Sequence, residues 1–304
     1  MNYFSTFTGI GGFELGINQA YGRTGDKCKV QTECADVESV PIVNRNDMET
    51  ATCIGYSEID RYATATYEHH FPDHKNYGDI TAIDADKLPD FDLLVGGFPC
   101  QAFSVAGKRR GFLDETRGTL FFDLARILRA KRPKYFVFEN VKGLLSHDGG
   151  RTFDTIITTL DELWYDLQWQ VLNSKDWGVP QNRERIFIVG HLRDEPRPKV
   201  FPLAPTGGAS ADKDGNKVWH ENITGSLTPR DTATSLRSGA SHSYQTVNLI
   251  RRLTPTECER LQGFPDAWTL GSDTQRYKQC GNAVTVNVVQ AVMQRLFINL
   301  TTKV

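Results

Sequence analysis

No run of apolar residues approaches the roughly 18 that a membrane span needs, and the opening MNYFSTFTGIGG lacks the basic region and apolar core of a secretory signal. A cytoplasmic location with no membrane partner is therefore expected. An excess of charge of one sign is also missing. Thirty-five Lys and Arg stand against 37 Asp and Glu, a formal net charge of −2, so any nucleic-acid binding must come from a local patch and not from a global field. Cysteines number six, Cys28, Cys34, Cys53, Cys100, Cys258 and Cys280, with no CxxC pair and no zinc-like grouping with the seven histidines. Neither a disulfide framework nor a metal site is expected. Repeats and low-complexity tracts are absent. What remains is 304 residues at 39% hydrophobic and 24% charged, a composition that excludes disordered, collagen-like and coiled-coil chains and suffices for a sizeable core.

Short β-rich runs alternate with helical patterns. Tyr3–Phe7, Cys53–Ser57, Phe91–Gly96, Lys134–Glu139 and Arg185–Gly190 read as strands, and 13–22, 60–70, 119–131 and 151–165 as helices. This βαβα order predicts an α/β fold with a doubly wound, mostly parallel sheet. Residues 22–52, rich in Thr, Asp, Glu and Asn, read as an insertion. From Pro196 to about Val247 the composition shifts to Pro, Gly, Ser, Thr and Asp, as in a small loop-rich module. Thr254–Gln262 restarts a helix capped by Thr254, and Ala283–Leu300 reads as a buried helix returning to the first domain.

The first strand runs into Phe7-Thr8-Gly9-Ile10-Gly11-Gly12 and then a helix, the usual place for a nucleotide-like cofactor in an open α/β sheet. Taken alone, the turn serves packing equally well, since Glu14 interrupts the full GxGxxG spacing. Glu58, closing the second strand, could accept from a ribose diol. Asp79, read as following a third strand, could accept from an adenine amino group. The segment Gly96-Gly97-Phe98-Pro99-Cys100-Gln101-Ala102-Phe103-Ser104 follows an apolar strand and places Cys100 behind a rigid proline at the sheet's ligand edge. A lone cysteine is more often inert packing, but a Gly-flanked basic loop from Gly107 to Gly118 follows it and could close over an anionic substrate. Glu139 ends one strand and Arg183 and Arg185 precede another, so a carboxyl and an arginine could meet a thiolate at one edge. The cluster Arg126, Arg129, Lys131, Arg132 and Lys134 sits at a helix end and needs no ligand.

In order and spacing, FTGIGG, GFPCQAFS, FENV, QNRER, RRLTPTECERLQGFPDAW and QCGNAV closely resemble the motifs of the bacterial and phage C5-cytosine DNA methyltransferases that use S-adenosylmethionine. The resemblance covers nearly the whole chain outside 22–52 and most of 193–250. It implies a Rossmann-like catalytic and cofactor domain over 1–192 plus 280–304, a target-recognition domain over 193–250 and a connecting segment over 251–279. Phe7, Gly9, Ile10, Gly12, Glu58, Ile59, Asp79, Ile80, Leu120, Asn282 and Val284 match the family's cofactor pocket. Cys100 matches its nucleophile, Glu139 its general acid, and Arg183 with Arg185 its anchoring arginines. The stretch from Gln101 to Gly118 resembles its active-site lid, with Gln101, Ser104, Lys108, Arg109, Arg110 and Arg117 as candidate DNA contacts. In the variable stretch Arg230 and Arg237 are candidates for guanine. Two positions depart from the pattern: Ser5 stands where many members have an acidic residue, and Ala106 where some place a serine that fills the hole left by the displaced base.

The resemblance implies transfer of a methyl group to C5 of a flipped-out cytosine in a short duplex DNA site, through a covalent adduct of Cys100 at C6. It further implies S-adenosylmethionine as cofactor with no metal, double-stranded DNA as partner, a monomer, and a cognate restriction endonuclease as a potential companion. Three other readings compete. Methylation of cytosine in transfer RNA uses the same scaffold, although the GFPCQ motif and the separate variable stretch favour DNA. A binding module that has lost catalysis would not need the filled catalytic positions. A nicotinamide-dependent dehydrogenase, suggested by fold alone, would leave Cys100, Glu139 and Arg185 without a task.

Overall fold

The computed structural model describes residues 1–21, 51–99, 120–204, 210–211, 217–218 and 252–301. Six strands form one sheet: β1 (Asn2–Thr6), β2 (Thr52–Ser57), β3 (Leu93–Gly97), β4 (Tyr135–Val141), β5 (Tyr165–Asn173) and β6 (Glu184–Leu192). Their spatial order is β2-β1-β3-β4-β6-β5. The first four are parallel, and β6 runs antiparallel to both β4 and β5. The central strands are buried on both faces, which is why NYFST, LLVGG and YFVFENV read as near-continuous apolar runs and not as alternating ones.

Alternate residues feed two cores. Phe4, Leu94, Phe136 and Phe138 face α3 (Leu120–Lys131) and α4 (Arg151–Glu162), which contribute Phe121, Leu124, Leu128, Ile156 and Leu160. Tyr3, Leu93, Val95 and Val137 face α1 (Gly12–Ala20) and α7 (Val286–Thr301), with Phe13, Ile17, Val289, Val292 and Leu296 between them. Gly16 makes that second layer possible, because a Cβ there would lie 2.6 Å from Val289 Cγ1. Helix α2 (Arg61–His70) is capped by Asp60, whose carboxylate accepts from the N–H groups of Tyr62 and Ala63. Helix α5 (Pro255–Leu261) carries a full capping box between Thr254 and Glu257, and α6 (Asp273–Asn282) leads into α7.

Several expectations need correction. Helix 151–165 stops at Glu162, and Trp164 turns the chain at φ +73° into β5, a strand absent from the sequence reading. Asp79 follows no third strand. A single bridge, Tyr56 to Asn76, precedes it, and Asp79 caps one 3-10 turn by accepting from Thr81 N–H at 2.9 Å. The final helix starts at Val286, because Ala283 is the extended cap that ends α6. Val200, Phe201 and Leu203 pack into the second core, so the sheet's core continues past residue 192. Phe264 and Trp268 are buried with Ile10, Ala63, Ala283 and Val286, which makes part of 251–279 a packed wall and not a loose connection. A short hairpin joins Ser210–Ala211 to Lys217–Val218. The remainder of the expected recognition stretch, and residues 22–50 of the expected insertion, lie outside the described residues.

The basic cluster is tied into the scaffold as its helix-end position suggests. Arg126 donates to the carbonyls of Ile83 and Ile80, Lys131 to Leu88, and Lys134 pairs with Asp92. The Glu that interrupts the glycine pattern is itself core: Glu14 lies fully buried in the first turn of α1 against Ser5 and Tyr67. Burial pushes its carboxyl from 4.5 up to about 7, against the pull of its hydroxyl neighbours. Between those values the folded protein holds a proton that the unfolded chain has released, so this group's contribution falls as pH rises through the window and stays lost above it. Glu14→Gln is therefore expected to gain stability relative to the parent between pH 5 and pH 8, by up to about 3 kcal/mol. Denaturant midpoints at both pH values check this, and a pH-independent difference contradicts it.

Candidate active site

The chain passes from β1 to β2 on one side and returns to β3 on the other, so the sheet's switch point lies between β1 and β3 at their carboxyl ends. A cleft of about 370 Å³ opens there, within the roughly 300–1,000 Å³ range of small-molecule sites. The segments after successive strands line it: Phe7, Gly9 and Ile10 after β1, Glu58 and Asp60 after β2, Phe98 and Pro99 after β3, and Glu139, Asn140 and Val141 at the end of β4. Arg183 and Arg185 enter at the start of β6, and Gln275, Lys278, Gln279, Gly281 and Asn282 of α6 complete the wall.

On the β1 side the backbone turns sharply, with Phe7, Gly9 and Gly11 at φ +51°, +55° and +88°. A Cβ on Gly9 would meet nothing within 4 Å, so bare backbone faces open space. Glu58 clasps this loop. One carboxylate oxygen accepts from Gly9 N–H at 2.8 Å, and the other accepts from the N–H groups of Ile59 and Asp60 at 2.9 and 2.8 Å. About four acceptor positions exist on a carboxylate, so three are committed to holding the chain and little remains for a ligand hydroxyl unless Gly9 yields. Lys278 pairs with Asp60 at 2.6 Å across the same wall.

On the β4 side Glu139 and Arg185 form an ion pair at 3.0 Å, with side chains 12% and 22% exposed. Gly97 leaves room for the carboxyl, since a Cβ there would sit 3.1 Å from Glu139 Oε2. Burial pushes the Glu139 carboxyl above the ordinary glutamate range, opposed by the charges of Arg185 and Arg183. Arg183 is held differently: its Nη2 donates to the carbonyls of Gly281 and Ala283 at 3.1 and 2.9 Å, closing the carboxyl end of α6. Burial and neighbouring Arg185 push its guanidinium down to about 10, against the pull of Glu139, and its Nε is buried without a hydrogen-bond partner. Asn140 is buried and donates to the Phe98 carbonyl at 2.9 Å, which fixes the turn leading to Pro99. The cleft thus sets a desolvated carboxyl beside two cations, next to a backbone cradle.

Of the residues singled out from sequence, Phe7, Gly9, Ile10, Glu58, Glu139, Arg183, Arg185 and Asn282 meet in this cleft. Gly12, Ile59, Asp79, Ile80, Leu120 and Val284 are not among its walls. Gly12 packs under Val284 and Phe264, Ile80 lies in the first core, and Ile59 is 73% exposed. Cys100, Gln101, Ser104, Lys108, Arg109, Arg110, Arg117, Arg230 and Arg237 lie outside the described residues. Sequence reasoning found Asn282 at the end of α6 but missed Gln275, Lys278 and Gln279 of that wall, and Asn140. The only local signal for α6 was Ser272-Asp273 at its start, because its buried residues, Gln279 and Cys280, form no apolar stripe.

The Glu139 environment sets an expectation for titration. In protein carrying ¹³C-labelled glutamate carboxyls, Glu139 is expected to titrate above ordinary glutamates. Arg185→Ala is expected to move its midpoint further up, because a charge that favours the carboxylate is gone. A midpoint that falls or stays fixed in the variant contradicts the coupling.

A family model described as C-5 cytosine-specific DNA methylase matches residues 1–214 and 206–297. The chain is 39% identical over 314 aligned residues to the type II methyltransferase M.NgoBI of Neisseria gonorrhoeae, covering 94% of this chain and 89% of that one. It is 38% identical to the type II methyltransferase M.HaeII of Haemophilus aegyptius, covering 98% and 93%. Among solved structures the Dnmt2 methyltransferase of S. pombe superposes with a TM-score of 0.66 at 17% identity over 99% of both chains, a likeness of fold. The chain belongs to the C-5 cytosine-specific DNA methylase family and is, as a member, a DNA cytosine-5 methyltransferase.

Proposed function

We propose that the protein transfers the methyl group of S-adenosylmethionine to C5 of a cytosine swung out of a short duplex site, through a covalent bond between Cys100 and C6. The observation that carries this reading is the meeting, in one cleft, of the Glu58-clasped loop and the Glu139–Arg185 pair, with Pro99, the residue before Cys100, in the wall. The bare backbone of Phe7–Ile10, the carboxylate of Glu58 and the α6 wall at Asn282 suit a nucleoside carrying a polar tail. When bound, S-adenosylmethionine supplies an electrophilic methyl.

The ring chemistry assigns the remaining roles. Cytosine C5 is a poor nucleophile until a thiolate adds at C6, and Cys100 provides the thiolate. Glu139, its carboxyl pushed above its ordinary value by burial, hydrogen-bonds or protonates N3 as the ring gains electron density, and Arg185 binds O2, so both stabilise charge that grows in the transition state. Loss of the C5 proton then releases Cys100. Such geometry is unavailable inside stacked DNA, and extruding the base costs on the order of a few kcal/mol, which contacts from Lys108, Arg109, Arg110 and Arg117 to the backbone help offset. Residues 193–250, with Arg230 and Arg237, choose the site. The type II names of the relatives fit an enzyme that works as a monomer in the cytoplasm beside a cognate restriction endonuclease.

Fluorine at C5 tests the covalent step, because it permits methyl transfer but cannot leave as a cation. Duplex DNA with 5-fluorocytosine at the target is expected to form a complex that survives denaturing electrophoresis and requires S-adenosylmethionine. Cys100→Ser is expected to abolish it, whereas changing Cys53, Cys258 or Cys280 is not. An adduct mapped to another cysteine overturns the assignment, and trapping of transfer RNA in place of DNA overturns the substrate.

Glu58→Ala gives a second test. It removes both an acceptor for the cofactor and the clasp on Gly9, so cofactor affinity is expected to drop at least tenfold while kcat at saturation changes little. An unchanged affinity removes Glu58 from the site.

A further inference from the structure

Among the described residues two side chains hydrogen-bond to the loop after β1, and Glu58 is one of them. The second is Trp268, in the turn between α5 and α6, 6% exposed, whose indole Nε1 donates to the Ile10 carbonyl at 2.8 Å. Its ring stacks on the imidazole of His70, with centroids 3.6 Å apart and planes 9° from parallel. His70 Nε2 in turn lies 2.8 Å from the Trp268 carbonyl. A carbonyl can only accept, so that nitrogen carries the proton. Phe264 and Phe71 close the other sides at centroid distances of 5.3 and 6.1 Å. The turn itself is pinned by buried Glu259, which accepts from Thr269 N–H at 2.8 Å and from Arg276 at 3.0 Å. The indole has no freedom to redirect its N–H.

The bond falls where the chain needs it. Three of the residues from Phe7 to Gly11 sit in the left-handed region, and Phe7 has no glycine to ease it. Such a backbone persists only where its surroundings over-determine it. Glu58 fixes the N–H of Gly9, and Trp268 fixes the carbonyl of the following residue, Ile10. Trp268 is not among the cleft's walls, and its hydrogen bond meets them at Ile10.

We propose that Trp268 is a positioning residue for the cofactor: its indole N–H, aimed by the stack on His70, fixes the Ile10 carbonyl and so pre-forms the backbone of Phe7–Gly11 that receives S-adenosylmethionine. This inference rests on the cofactor reading above. A loop released from one of its two holds populates the competent shape less often, which lowers apparent affinity by that fraction and leaves the chemical step alone.

Trp268→Phe keeps a ring against His70 and deletes the donor. Its dissociation constant for S-adenosylmethionine, measured by calorimetry without DNA, is expected to rise about five- to tenfold, with kcat at saturating cofactor within about twofold of the parent. Hydrogen exchange of residues 9–15 is expected to quicken, and Trp169→Phe, at an exposed position on β5, is expected to change neither. Should the phenylalanine variant fold poorly, replacing the indole by a benzothienyl group of the same shape repeats the test without altering packing. Unchanged affinity and exchange in a folded variant overturn the proposal, as does a loss of kcat equal to the loss of affinity. A parent protein that binds no S-adenosylmethionine overturns the cofactor reading instead.

Discussion

The direction of β6 decides where Glu139, Arg183 and Arg185 can meet. In a fully parallel sheet every strand presents its carboxyl end to the ligand edge, and a residue at the start of a strand lies at the far side. Because β6 runs against β4, pairing Glu139 with Phe187 and Val141 with Arg185, its first residues arrive where β4 ends. That reversal brings Arg185 within 3.0 Å of Glu139 and lets Arg183 reach the end of α6. A buried ion pair is weak support for stability, since desolvating both partners costs about what their attraction returns. Its value here is chemical. Two cations beside the carboxyl oppose the rise in its pKa that burial causes.

That reversal depends in turn on β5, the strand that sequence reasoning lost. The sequence Tyr165–Asn173 alternates well enough for a half-buried edge strand, but Ile156, Leu160 and Leu163 extend the helical period toward it and no glycine or proline interrupts them. The break is made by Trp164, which adopts a left-handed conformation normally reserved for glycine and asparagine. Its ring is covered by the guanidinium of Arg193 at 4.7 Å, and Arg193 also pairs with Asp166 at 2.9 Å. These contacts are formed across the hairpin, so no local pattern announces them. By contrast, the parallel strands and their following loops were readable, because burial on both faces writes a continuous apolar run and the turn residues stand directly behind it.

The candidate site divides along the same line. Phe7, Gly9, Glu58, Glu139 and Arg185 follow or precede strands, where position in the chain nearly dictates position in the fold. Residues of α6 reach the cleft through polar contacts with α2: Gln279 accepts from Thr66 at 2.8 Å and Lys278 pairs with Asp60 at 2.6 Å. Side chains 213 and 218 residues apart leave no periodic trace. Glu14 is the opposite case. It looked like a flaw in a glycine motif, and it is a buried carboxyl lying against Ser5, the position at which an acidic residue was expected from the family pattern.

The chain re-enters the described fold, after the variable stretch, against the same wall. Where the described chain resumes after the variable stretch, Arg252 lies over the ring of Tyr277 at 3.6 Å, and the Tyr277 hydroxyl donates to the Leu253 carbonyl. Tyr277 is on α6 next to Lys278 and two residues from Gln279, both in the cleft. The turn that carries Trp268 lies between that re-entry point and α6, and it grips the loop after β1. Packed side chains and charged hydrogen bonds therefore run from Arg252 through Tyr277, Glu259 and Trp268 to Ile10. Interactions made far from the reacting carbon can lower the barrier only if they are transmitted as geometry. Between Arg252 and Asn282 many of the contacts are polar, and directional bonds to Glu259, Gln279 and Ile10 hold orientation where apolar packing alone would allow sliding.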